Sequence, residues 1–346
     1  MTYSLQDLGW SSFFARQIDS DALQPARVSE VHRSSVTALS TNGSLRLLSP
    51  DHSIGEIAVG DWVLSDQEHR ITQILDRQTL LKRKAAGHEI KPQLIAANVD
   101  ILFIVSSCNA DFNIARLERY LALAQSAGSF PVVLLTKADT ADNPDDYRHQ
   151  IEHLPKAPVV EALNAKDPTE VQRAMKWVRK GQTAAFVGSS GVGKTTLANG
   201  MTGGDDATAA IREDDARGRH TTTARFLKPM LNGGWLIDTP GIRELQLFDA
   251  QDGLDAVFED LQELASSCRF NDCAHETEPG CAIKAALDAG EIDADRLERW
   301  RKLERENAYN SETLSQARAR EKSFSKHVKS VVKSSHKHKG RYQDDD

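Results

Sequence analysis

Gly188, Ser189, Ser190, Gly191, Val192, Gly193, Lys194 and Thr195 form the pattern Gly-x-x-x-x-Gly-Lys-Thr. Each residue type has a part in binding a polyphosphate. Glycines let successive backbone N–H groups turn inward around the anion, Lys194 neutralises its outer oxygens, and the Thr195 hydroxyl can ligate magnesium. An apolar run (Ala184, Ala185, Phe186, Val187) leads into the loop, and Thr196 opens a helix-compatible stretch whose N-terminus favours negative charge. This is a strand, a glycine loop and a helix. By itself it fits a kinase, an ATPase or a GTPase.

Three further elements narrow the choice. Asp238-Thr239-Pro240-Gly241 follows an apolar run, as a magnesium and γ-phosphate sensor does. Asp238 would hold the metal through water and the Gly241 N–H would bond the γ-phosphate. Thr136-Lys137-Ala138-Asp139 ends another apolar run and resembles the guanine-reading Asn-Lys-x-Asp. Asp139 can accept hydrogen bonds from guanine N1–H and the exocyclic amine while the Lys137 stem stacks on the base. Adenine has an acceptor at N1 and no amine, so the same carboxylate rejects it. Asn164-Ala165-Lys166, after a third run, completes the base-binding set.

A separate group points to metal. Cys268, Cys273, His275 and Cys281 lie within fourteen residues, with Pro279-Gly280 turning the chain before the last of them. Three soft thiolates and an imidazole suit a closed tetrahedral zinc site with no open position for catalysis. Four cysteines in 346 residues do not make a disulfide framework, and Cys108 stands apart at a strand end, where it reads as core.

The elements that must position these residues come in three blocks. Residues 26–86 carry short β-like runs, from ARVSEV to TLLKRK, separated by turn signals at Asn42-Gly43, Pro50-Asp51 and Gly60-Asp61. They predict a small closed barrel of the oligonucleotide-binding type. Residues 99–105, 131–136 and 157–160 read as buried parallel strands with a helix over 114–125, the grammar of a doubly wound α/β domain. Beyond the sensor, Leu254, Val257, Phe258, Leu261 and Leu264 predict one amphipathic helix, and a further helix is expected over 293–307. Ahead of the barrel, the aromatic patch of Trp10, Phe13 and Phe14 belongs to an arm that either docks or stays loose.

The net charge of −7 argues against a general nucleic-acid binder, but the charge is unevenly spread. Residues 318–341 hold nine Lys or Arg against the single acid Glu321. This tail would suit a phosphate backbone, with contact that weakens steeply as salt rises. No apolar run long enough to span a membrane and no signal-peptide pattern are present, so a cytoplasmic protein is expected.

The order of the motifs is unusual. Asp139 and the Asn164 element precede the phosphate loop, whereas in an ordinary GTPase the base reader follows it. With the Arg219-His220-Thr221-Thr222-Thr223 segment and the cysteine spacing, this order resembles the circularly permuted ribosome small subunit-dependent GTPase A family over about residues 26–305. The resemblance implies a multidomain chain with an N-terminal OB-type β-barrel, a central circularly permuted α/β P-loop GTPase domain and a C-terminal helical zinc-binding domain. Its divisions would fall at 1–24 (arm), 25–90 (barrel), 91–248 (GTPase), 249–310 (zinc) and 311–346 (basic tail).

It implies one structural zinc, magnesium with GTP, and a monomer that docks on the small ribosomal subunit and its rRNA late in maturation, with turnover stimulated by the subunit. Catalysis would rest on Lys194, on His220 orienting water, since Ile242 stands where a glutamine is usual, and on Thr222 as the magnesium-bound switch threonine, with Thr221 or Thr223 as alternatives. Residues 205–219 would form a switch loop ordered by the partner. Thr136 departs from the family's asparagine and lacks the amide that latches the base-reading loop to the phosphate loop. A nucleotide-gated RNA-binding module with negligible turnover, or a GTPase acting on another RNA or protein, is the alternative.

Overall fold

The computed structural model describes residues 2–20, 22–85, 92–204, 225–238 and 247–311. Its first block is built from β1 (Gln24–Val31), β2 (Val36–Ser40), β3 (Gly43–Leu47), β4 (Trp62–Ser65) and β5 (Ile71–Ile74). β1, β2 and β3 form an antiparallel meander, β4 pairs with both β1 and β5, and a parallel bridge from Leu48 to Arg70 joins the end of β3 to the start of β5. The ring therefore closes in the order 1-2-3-5-4-1. Ala26, Val28, Val36, Ala38, Leu47, Val63 and Ile71 fill it. The TLLKRK run lies outside this ring. It forms β6 (Leu80–Lys84) and pairs with β7 (Pro92–Ala97), a strand the sequence pattern did not reveal.

The second block contains β8 (Ile101–Ser107), β9 (Phe130–Thr136), β10 (Val159–Ala162), β11 (Thr183–Val187), β12 (Phe226–Pro229) and β13 (Trp235–Asp238). Neighbours run β10-β9-β8-β11-β13 in parallel, and β12 is antiparallel at the edge, where Phe226 meets Glu30 of β1. Successive strand residues point to opposite faces, so each strand supplies two cores. Leu102, Ile104, Val133, Leu135, Ala185 and Val187 pack with Leu117, Tyr120 and Leu121 of a helix over Ile114–Ala127. Phe103, Val105, Val132, Leu134, Ala184 and Phe186 pack on the other face, against the helices Pro168–Met175 and Lys194–Thr202.

In chain order the helices are α1 (Ser12–Ala15), α2 (Ile114–Ala127), α3 (Pro144–Glu152), α4 (Pro168–Met175), α5 (Lys194–Thr202), α6 (Gln251–Val257), α7 (Glu259–Ser266), α8 (Ala282–Asp288) and α9 (Ala294–Ser311). The stripe expected to form one helix after the sensor is two, α6 and α7. The chain breaks at Phe258, whose φ of −112° and ψ of 33° lie outside the helical region. That break lets Leu254 and Leu261 both reach the central core around the fully buried Phe258.

The N-terminal arm docks. Leu8 and Phe14 are buried, Trp10 meets Trp62 edge to face with centroids 4.6 Å apart, and the Trp235 indole donates to Asp7 O at 2.7 Å. Arg27 of β1 pins the junction from a fully buried position, donating to Leu8 O at 2.5 Å and to Thr183 Oγ1 of β11 at 2.5 Å. Burial lowers its pKa to about 10, so the charge is retained at neutral pH.

Candidate functional site

The phosphate-loop residues and the base-reading residues meet at the C-terminal ends of the parallel strands, the edge at which open α/β sheets bind ligands. β11 ends at Val187, and α5 begins at Lys194. Between them Gly188 takes φ 144°, and a Cβ there would stand 2.2 Å from Val105 O of the neighbouring β8, a distance no side chain tolerates. Gly191 and Gly193 also lie at positive φ, 77° and 94°. Lys194 Nζ donates to Gly188 O at 2.8 Å and to Ser189 O, so the ammonium lies across the mouth of the loop. Ser190 and Thr195 are exposed, Val192 is buried, and Thr196 is half-buried at the start of α5.

Thr136 ends β9, is fully buried, and has its Oγ1 2.6 Å from Val192 O and 3.1 Å from Ser106 O. The single hydroxyl proton is best satisfied by the nearer carbonyl, which belongs to the phosphate loop. The latch thought lost with the asparagine is thus made by a hydroxyl. Lys137 follows at φ 58°, in the left-handed region, and turns the chain so that Asp139 is exposed. Ala138 N donates to Leu163 O at 3.4 Å, which ties this loop to the Asn164-Ala165-Lys166 loop. Within that second loop Asn164 Oδ1 accepts from Lys166 N at 2.9 Å, and Glu170 accepts from Asn164 N at 2.6 Å.

Asp238 closes β13, two strands from β8, and its Oδ2 lies 3.1 Å from Lys228 Nζ of β12. His220, Thr221, Thr222, Thr223 and Gly241 lie outside the described residues, as do the 205–219 segment and the tail from 312 onward. Sequence reasoning missed Arg116, whose guanidinium donates to the Ser189 hydroxyl. The signal available was its place in the first turn of a helix that follows β8, the strand beside β11.

The second cluster is at the far end of the chain. The ligand atoms of Cys268, Cys273, His275 and Cys281 lie within 4.8 Å of one another. Cys268 Sγ and Cys281 Sγ are 3.9 Å apart, and His275 Nδ1 is 3.5 Å from the first and 3.6 Å from the second. Tetrahedral zinc with ordinary bond lengths requires sulfur–sulfur separations of about 3.8 Å and sulfur–nitrogen separations of about 3.6 Å. The donor set therefore fits zinc in its chemistry, and Cys268, His275 and Cys281 fit it in spacing, with the Cys273 ligand atom inside the same 4.8 Å cluster. Backbone N–H groups of Ala282 and Lys284 point at Cys268 Sγ and Cys281 Sγ, 3.3 Å and 3.4 Å away, as outer hydrogen bonds to metal-bound thiolates do.

Helix α2 joins the two regions. Glu118, with no exposed surface, accepts from Arg296 at 2.9 Å and from Arg299 at 2.8 Å, both on α9, and Arg119 pairs with Glu306 of the same helix. Burial raises the Glu118 pKa, and the two guanidinium groups oppose that shift. Helix α6 crosses α2 at Gly253, where a Cβ would be 2.0 Å from Ala122 O. Only a glycine allows that approach.

The family model described as RsgA GTPase matches residues 74–248. A curated relative named small ribosomal subunit biogenesis GTPase RsgA, from Mesorhizobium japonicum, is 52% identical over 89% of this chain and 91% of its own length. A Vibrio parahaemolyticus protein named small ribosomal subunit biogenesis GTPase RsgA 2 is 44% identical over 98% of this chain and 95% of its own. Among solved structures, YjeQ from Thermotoga maritima superposes with a TM-score of 0.57 at 24% identity, covering 81% of this chain and 97% of that one. YloQ, titled a circularly permuted GTPase, gives 0.57 at 22% identity over 83% and 96%. These two likenesses show the shared fold.

Proposed function

Because the chain belongs to the RsgA GTPase family, we propose that it hydrolyses GTP to GDP and phosphate in the biogenesis of the small ribosomal subunit. The observation that carries the reading is the latch between two loops. Thr136, in the loop that would read guanine, bonds Val192, in the loop that would hold the phosphates, although the first precedes the second in the chain. The contact sets the two loops side by side, and in this reading a guanine nucleotide lies along them, with its base at Asp139 and its phosphates at Gly188 to Thr196.

In this reading Lys194 neutralises the phosphates, Thr195 and Asp238 hold magnesium, His220 orients the attacking water and Thr222 closes on the metal. Gly241 would sense the γ-phosphate. The Cys268, Cys273, His275 and Cys281 set holds one structural zinc. The protein acts as a cytoplasmic monomer whose barrel, zinc region and basic tail touch rRNA, and the divisions at 24, 90, 248 and 310 are the boundaries of those parts. Among the described residues no helix is long and apolar enough to cross a membrane.

GTP tightens the grip on the subunit and hydrolysis releases it, since a ligand shifts binding only through differential affinity for two states. Co-sedimentation with purified small subunits tests this directly. A GTP analogue is expected to carry the protein into the subunit fraction and GDP to leave it free. Equal sedimentation with both nucleotides would remove the proposed cycle.

A further inference from the structure

We infer that Arg116 is a discriminator for the terminal phosphate, a cation supplied in cis that favours GTP over GDP. The inference rests on the GTPase reading above and adds a residue that the phosphate-loop motif does not contain. β8 lies beside β11 in parallel register, with Ile104 opposite Val187, so the segment that leaves β8 emerges at the same sheet edge as the phosphate loop. After a short turn Asn113 caps α2 by accepting from Arg116 N at 3.0 Å, and this fixes Arg116 in the first turn.

From there the exposed Arg116 side chain reaches the loop and donates from NH1 to Ser189 Oγ. The backbone carbonyl of the same residue, Ser189, accepts from Lys194 Nζ. Two cations therefore converge on one residue of the loop, one at its hydroxyl and one at its carbonyl. The N–H groups at the start of α5 face the inner phosphates of a bound nucleotide, so the opposite limb of the loop, Ser189 and Ser190, borders the outermost one.

Among the described residues Arg116 meets no carboxylate, as Arg46 and Arg83 also do not, and its side-chain partner is the neutral Ser189 hydroxyl. A guanidinium presents five N–H donors in a planar fork, so most of its capacity is left for oxyanions. A γ-phosphate at the Ser189 limb would engage it, and a nucleotide ending at the β-phosphate would not.

The test is a titration of the full-length protein with a fluorescent non-hydrolysable GTP analogue and with the matching GDP, with magnesium present. Arg116→Ala is expected to weaken analogue binding about tenfold, the worth of one charge-assisted hydrogen bond, while GDP binding changes by less than about twofold. Arg116→Lys should recover part of the loss. Equal loss of both nucleotides in Arg116→Ala would make Arg116 a brace for the loop, and no change in either would make it a solvated surface charge. Either result overturns the inference with the GTPase reading intact. Failure of the unmutated protein to bind guanine nucleotides would remove that reading as well.

Discussion

Thr136 Oγ1 lies 2.6 Å from Val192 O, and this one contact joins the loop that reads the base to the loop that holds the phosphates. An asparagine can make such a link with its amide. Here the shorter side chain suffices because Thr136 is fully buried at the very end of β9, opposite Ser107 of β8, and close to the phosphate loop. The substitution changes the donor and keeps the geometry.

Thr136→Ala should therefore weaken GTP and GDP binding together. It leaves the buried Val192 carbonyl without its donor, a cost of about 1 kcal/mol, or roughly fivefold in Kd. The preference for guanine over adenine should survive, because Asp139 is untouched. Thr136→Ser, which keeps the hydroxyl, should bind close to the unmutated level. Nucleotide titration of the two variants checks both expectations, and full affinity in the alanine variant would show that the latch is unnecessary.

Glu118 should prove the mechanical joint between the α/β core and the C-terminal helices. Glu118→Gln removes the buried negative charge between Arg296 and Arg299 and leaves two guanidinium groups facing a neutral amide. Arg296 keeps its pair with Asp260 at 2.7 Å, so the loss is that of charge-assisted hydrogen bonds, about 1–3 kcal/mol. Limited proteolysis should then release a C-terminal fragment cut near α6, with the phosphate-loop region still resistant. An unaltered digestion pattern would contradict the assigned role.

Zinc removal should have a local effect. A strong chelator, or Cys281→Ser, is expected to reduce the metal content from one zinc per chain to none and to expose residues 268–281 to protease, since closed zinc sites contribute directly to folding. GTP binding should persist because the phosphate loop and the base-reading loop lie on other elements. A zinc content that stayed at one per chain in Cys281→Ser would show that this cysteine is not a ligand.

The chemistry-bearing stretches were legible because their signals are local. The apolar run and glycines of 183–193 specify a strand and a loop from their own residue types, and the cysteine spacing predicts the metal cluster. The observed strands β8, β9 and β10 begin and end within two residues of the expected ones. What escaped notice depends on partners distant in the chain. β7 is short, begins with Pro92 and becomes a strand only by pairing with β6. Arg27 sits in a run whose other residues read as an ordinary barrel strand, and its burial follows from acceptors on Leu8 and Thr183. The break at Phe258 and the reach of Arg116 to Ser189 likewise leave no mark in local spacing. The closed ring of the first block was predicted from its turn signals, but the final run assigned to it belongs elsewhere.

The measurement that tests the central claim most directly is phosphate release from GTP and from ATP by the purified protein, with and without small ribosomal subunits, at fixed magnesium and salt. Slow GTP hydrolysis that rises strongly when small subunits are added, with ATP inert in both conditions, is the predicted result. GTP turnover indifferent to the subunits, or ATP hydrolysed as fast as GTP, would contradict the account.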